Sequence, residues 1–269
     1  SFTFDKLQPA LEESCNPRTE DFADVNYNWK EIIDNLFKQS PKLSFSFFYD
    51  FMKKTALKNK TIDFRDYYGD FIQSTFFRGN GTTYNLPNAD DEIYNKLKNY
   101  LEVLAKKEKN EAIIFIKENI NSNIISVLQL CAFTLKVRPS SFSDFTFDFL
   151  NIIDRKKGFI GFDDRLQFII RCLIGKTFSF FTLPQKERVV DIIFNIRRGK
   201  EYSVSKWDEN EYHNLQIQGK KQYLFIQLIP KKEINKISRL KKKSQEFERK
   251  FGILKDNSPM DESSGGGIT

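Results

Sequence analysis

Three aspartates, Asp63, Asp66 and Asp70, recur at spacings of three and four residues, which on a helix brings their carboxylates near one face. Oxygen ligands so arranged have the chemistry to hold a hard cation or to form an acid–base pair. The plainer reading, and the one adopted, is a solvated helix face. Asp163 and Asp164, just before Leu166, read as an N-terminal cap whose side-chain oxygens satisfy free backbone amides. The single histidine, His213, stands beside Tyr212 in a polar stretch with no arginine a few residues ahead of it. A histidine pair, a histidine metal cluster and the Arg-and-His motif of many helical ribonucleases are therefore all hard to build, and His213 reads as a structural or surface residue.

Two further segments have chemistry suited to anions. In the run from Arg78 to Asp90, Arg78, Gly79, Gly81, Thr82 and Thr83 could cradle an anion with backbone amides and a guanidinium, although the loop follows a helix and not the strand of a nucleotide fold. Nearer the C-terminus, Lys231, Lys232, Lys236, Arg239, Lys241, Lys242, Lys243, Arg249 and Lys250 face only Glu233, Glu246 and Glu248. Because Ile234, Ile237, Leu240, Phe247 and Phe251 keep close to a helical stripe, one face can pack on the body while the lysines stay in water. This is either a solvated basic face or a surface that contacts phosphates. Aromatic residues do not interleave with the bases as they do where single strands stack.

Composition narrows the classes. The chain has 269 residues, 40% hydrophobic and 29% charged, with a net charge of +7 and 28 Phe. These proportions suit a folded globular protein with a phenylalanine-rich core, and the positive charge permits an anionic partner such as nucleic acid. The three cysteines, Cys15, Cys131 and Cys172, are odd in number and far apart, so neither a disulfide framework nor a zinc site is expected. The phosphate loop, the serine-hydrolase elbow and the His-Glu-x-x-His zinc signature do not occur, and no cofactor is expected. No basic-then-apolar leader opens the sequence and no apolar run is long enough for a bilayer, which predicts a cytoplasmic protein with no membrane partner. The chain opens on Ser1, and the stretch Ser263-Ser264-Gly265-Gly266-Gly267 has linker composition. A piece of a larger protein is the expectation.

The elements that must position these residues are helices. Trp29, Ile32, Ile33, Leu36 and Phe37 recur at three-and-four spacing and predict a helix ending before Pro41. Further helices are predicted over 43–57, 63–77, 90–107, 111–119, 122–136, 142–155, 163–175, 184–198 and 220–229, with Pro230 opening a last basic helix to about Phe251. The short connections make sequential helices antiparallel neighbours. Apolar helices at 124–135 and 166–174 lie at a spacing close to the period of two-helix repeats, although no repeat is visible residue by residue. The implied organisation is an extended lead-in over 1–27, a helical subdomain over 28–89, a helical-repeat array over 90–252 and a flexible tail over 253–269.

Trp207, Gly219-Lys220-Lys221-Gln222-Tyr223, Ile229-Pro230 and Phe247-Glu248-Arg249-Lys250-Phe251-Gly252 together resemble a segment in the helical-repeat portions of large bacterial STAND-type NTPases, many of which serve in antiphage defence. The resemblance implies a HEAT-like sensor or scaffold region. The chain departs from that family in lacking a nucleotide-binding motif, so no ATPase activity is implied. The sequence thus predicts an all-α array of antiparallel helix pairs, an α-solenoid or an irregular stack. Its function is expected to be non-catalytic, with a protein as the first expected partner, nucleic acid at the 231–250 segment as the alternative, and an enzyme with an unfamiliar carboxylate or loop site as a third reading.

Overall fold

A computed structural model of the chain describes residues 29–58, 89–156, 164–196 and 219–254. The described residues contain eleven α-helices and no strand: α1 (Trp29–Gln39), α2 (Pro41–Lys58), α3 (Ala89–Lys107), α4 (Lys109–Asn119), α5 (Ile125–Val137), α6 (Ser143–Arg155), α7 (Asp164–Thr177), α8 (Leu183–Phe194), α9 (Lys220–Ile226), α10 (Lys231–Ile234) and α11 (Ser238–Phe251). The all-α fold expected from the sequence is what forms. The lead-in, the helix expected over 63–77, the glycine loop, the Trp207–His213 segment and most of the C-terminal tail lie outside the described residues.

The stripes read in the sequence are the buried faces. Ile33 of α1 is fully buried, and Ile93, Leu97 and Leu101 of α3 form an inward line with Tyr94 and Ala105. Pro41 does more than end α1. It opens α2 as its first residue, where its missing N–H leaves no helical bond unmade and its fixed φ suits the turn. At α8, Thr182 and Gln185 make a reciprocal capping box: the Gln185 N–H donates to Thr182 Oγ1 at 3.4 Å and the Thr182 N–H to Gln185 Oε1 at 2.9 Å.

The helix at the centre is α5, in which every residue from Ile125 to Leu135 is buried. A helix apolar on all sides has no face to give to water and must be surrounded. Accordingly α5 packs on α3, α4, α6 and α7. Two of its polar side chains find partners inside: Tyr94 Oη donates to Gln129 Oε1 at 3.1 Å, and Thr134 Oγ1 donates to the Leu130 carbonyl at 2.7 Å. Burial also pushes the Cys131 thiol far above its usual range, so it stays protonated.

Contacts run in series. The odd-numbered helices meet as α1–α3, α3–α5, α5–α7, α7–α9 and α9–α11, while α6 meets α8 and each pair α1–α2, α3–α4 and α5–α6 packs together. Aromatic contacts of Phe45 and Tyr49 with Phe115 extend the even-numbered layer from α2 to α4. Where α7 approaches the segment after α9, the helices close tightly. A Cβ on Gly175 would stand 2.7 Å from the Leu228 carbonyl oxygen, so only glycine permits that approach.

Two expectations differ from the structure. The eighth helix ends at Phe194 and not at Arg198, because Gln222 Nε2 donates to the carbonyls of Phe194 and Ile196, at 2.7 and 3.2 Å, and satisfies the helix end there. The single basic helix expected from Pro230 to Phe251 is two helices, α10 and α11. Asn235 closes the first, and Ile237, extended at φ −117° and ψ 104°, precedes the second. The break lets Glu233, Ile234, Ile237 and Leu240 all turn inward, whereas one straight helix would leave part of this set outside.

Candidate anionic-partner surface

The nine basic residues of the C-terminal segment divide by what surrounds them. Glu233 of α10 is only 3% exposed and lies between two ammonium groups, Lys186 of α8 at 2.8 Å and Lys236 at 2.9 Å. Their hydrogen bonds hold its carboxyl below the usual glutamate range against the opposing effect of burial. Arg239 at the start of α11 spans two carboxylates of α8: its Nε donates to Glu187 Oε2 at 2.7 Å, its Nη1 bonds Asp191, and its Nη2 donates to the Glu187 carbonyl at 2.7 Å. The Asp191 hydrogen bond, ahead of that from Glu187, holds the Arg239 guanidinium above its already high range. Lys243 pairs with Glu246 at 2.9 Å and covers the Phe247 ring at 4.6 Å, and Lys250 covers Phe251 at 5.2 Å. Arg249 Nε donates to the Gln245 carbonyl at 3.3 Å. Lys231, Lys232, Lys241 and Lys242 stand exposed, with no carboxylate partner among the described residues.

The inner side of α11 is apolar, as the sequence stripe required. Leu240 and Phe247 are buried, and Tyr223 of α9 makes an aromatic cluster with Phe247 and Phe251 at centroid distances of 5.9 and 6.0 Å. Gly219, at φ +87°, begins α9 directly against Phe247; a Cβ there would lie 2.5 Å from the ring. Gly219, Tyr223, Phe247 and Phe251 therefore meet where α9 packs on α11, while Gln222 faces the end of α8.

The same lateral pairing recurs across the even-numbered layer. Arg188 of α8 reaches Asn151 at 3.1 Å and Asp154 at 2.6 Å on α6, and Gln185 reaches Asp144 at 3.0 Å. Between α2 and α4, Tyr49 Oη donates to Asn119 Oδ1 at 2.5 Å, and Asn119 Nδ2 donates to the Phe115 carbonyl at 2.8 Å. Burial there pushes the Tyr49 phenol far above its usual range. Between α4 and α6 lies an open groove of about 270 Å³, with Ile120, Phe145 and Ile152 as its apolar part and Lys117, Asp148, Asn151 and Arg155 around it.

Sequence reasoning found the basic segment but neither the groove nor the pairing. A partial signal was present: Asn151 and Asp154 lie three residues apart on one helix face, and Glu187 and Asp191 lie one turn apart on another. Reading it required knowing which helices are neighbours. Arg78, Gly79, Gly81, Thr82 and Thr83 lie outside the described residues, as do Asp63, Asp66, Asp70, Asp163 and His213. Asp164 begins α7, as expected of a residue at a helix start.

Among the described residues no group of three or more His, Cys, Asp or Glu is placed to hold a metal ion, and no helix is long and apolar enough to cross a membrane. No family model, curated protein or solved structure matches the chain.

Proposed function

We propose that the chain is a non-catalytic helical-repeat module, an α-solenoid-like array within a larger intracellular protein, that binds a protein partner through its helix faces. A sensor or scaffold role of the kind served by the helical-repeat regions of STAND-type NTPases in antiphage defence fits this reading. The observation that carries it is the serial packing of α1, α3, α5, α7, α9 and α11. Such stacking gives stability through neighbouring contacts and leaves a long outer face for recognition. Cross-linking of the full chain in extracts of its native host, with sites mapped by mass spectrometry, tests it. Cross-links from the outer helices to one protein are expected; cross-links confined to the chain itself would contradict the reading.

A second reading, nucleic-acid binding, is favoured by one observation: Lys231, Lys232, Lys241 and Lys242 are exposed and unpaired among the described residues. Arg239, Lys236 and Lys243 already meet carboxylates, which reduces the charge free to displace counterions. Four phosphate contacts would give a log–log salt slope of about −4 on duplex DNA. Fluorescence anisotropy of labelled oligonucleotides, comparing the chain with its Lys241→Glu, Lys242→Glu variant, is the test. On this reading the double reversal flattens the slope by about two; binding indifferent to it removes the reading.

A further inference from the structure

Three junctions of the even-numbered layer are closed by side chains. Tyr49, Phe115 and Asn119 close α2 to α4, Arg188 closes α8 to α6, and Lys186 closes α8 to α10. The junction between α4 and α6 is different. Lys156 ties its far end to the Asn121 and Ser122 carbonyls and to Asn123, and Lys117 lies 5.8 Å above the Phe145 ring. Between them the groove stays open. Asp148 and Arg155 beside it have no ion partner among the described residues, whereas Arg188 at the α6–α8 junction and Lys186 at the α8–α10 junction meet carboxylates.

We propose that this groove is the docking site for a peptide segment of the partner protein, one that presents a large apolar side chain next to an acidic one. The inference rests on the interaction reading above and specifies its site. Charge complementarity identifies the occupant: two cations, Lys117 and Arg155, outnumber the single carboxylate of Asp148, so the groove lacks an anion. Ile120, Phe145 and Ile152 offer the apolar floor on which an aliphatic or aromatic side chain sheds water. One turn before Lys117, Ile114 is 48% exposed and continues the apolar character along α4.

The test is selection from a random-peptide display library on the immobilised full chain, followed by anisotropy titration of the enriched peptides. Enriched sequences are expected to pair Asp or Glu with Leu, Ile, Phe or Trp, and to bind Arg155→Glu and Lys117→Glu chains at least about tenfold more weakly, because each reversal sets like charges face to face. Asp148→Asn is expected to tighten the same peptides, a gain that misfolding cannot produce. Absence of acidic enrichment, or affinities unmoved by all three substitutions, overturns the site. Cross-links to a partner that avoid α4 and α6 also overturn it while leaving the interaction reading standing, whereas failure to cross-link any partner counts against that broader reading.

Discussion

Glu233 sits between Lys186 and Lys236 with only 3% of its side chain exposed, and its charge is compensated there as it is nowhere in the unfolded chain. Removing one member of a buried pair leaves the rest uncompensated, so Glu233→Ala is expected to cost about 3 kcal/mol in urea unfolding at neutral pH. The pH dependence has a definite sign. A carboxyl whose folded pKa is depressed stabilises fully above its unfolded pKa and loses that contribution as pH falls through the folded value. The native chain should therefore lose stability below about pH 4, where free glutamates protonate, and Glu233→Gln should lack that component when unfolding is compared across the window. Gly219 is a second residue whose replacement is expected to be severe. Alanine at φ +87° is strained and would also meet the Phe247 ring, so Gly219→Ala should destabilise by about 2 kcal/mol or more, read by thermal unfolding. Neither role was legible in the sequence. Glu233 reads as one acid in a basic run, because the break after Asn235 that turns it inward carries no glycine or proline to announce it.

At the scale of elements, more was legible. Ile93, Leu97 and Leu101 announce α3 by their spacing, whereas the Thr182–Gln185 capping box came to light only in the structure. Thr182→Ala should cost about 1 kcal/mol, as loss of an N-cap does, and circular dichroism under denaturant will measure it. The centre of the fold was harder to see. From Ile125 to Leu135 the pattern has no polar face, so periodicity shows a buried segment but not which helices surround it. The basic segment was legible in charge and in its apolar stripe, yet not in its division into α10 and α11. The two helices are held by Lys186, Glu187 and Asp191 of α8, which lie about fifty residues earlier in the chain, as the 52-residue separation of Arg239 from Glu187 illustrates. Local sequence cannot encode partners so distant.

Across the whole molecule, helices stack in sequence and carboxylates of α8 take up part of the positive charge that made nucleic acid an attractive partner. What remains among the described residues is an outer layer with closed junctions, an open groove between α4 and α6 and four lysines with no carboxylate partner. The proposed recognition of protein and the alternative of nucleic-acid binding separate in one measurement: affinity purification of the full chain from its native host after nuclease digestion, read by quantitative mass spectrometry beside the Lys241→Glu, Lys242→Glu variant. The expected result is a protein partner retained equally by both chains after digestion. Nucleic acid that co-purifies with the native chain but not with the variant, and no protein remaining once it is digested, would contradict it.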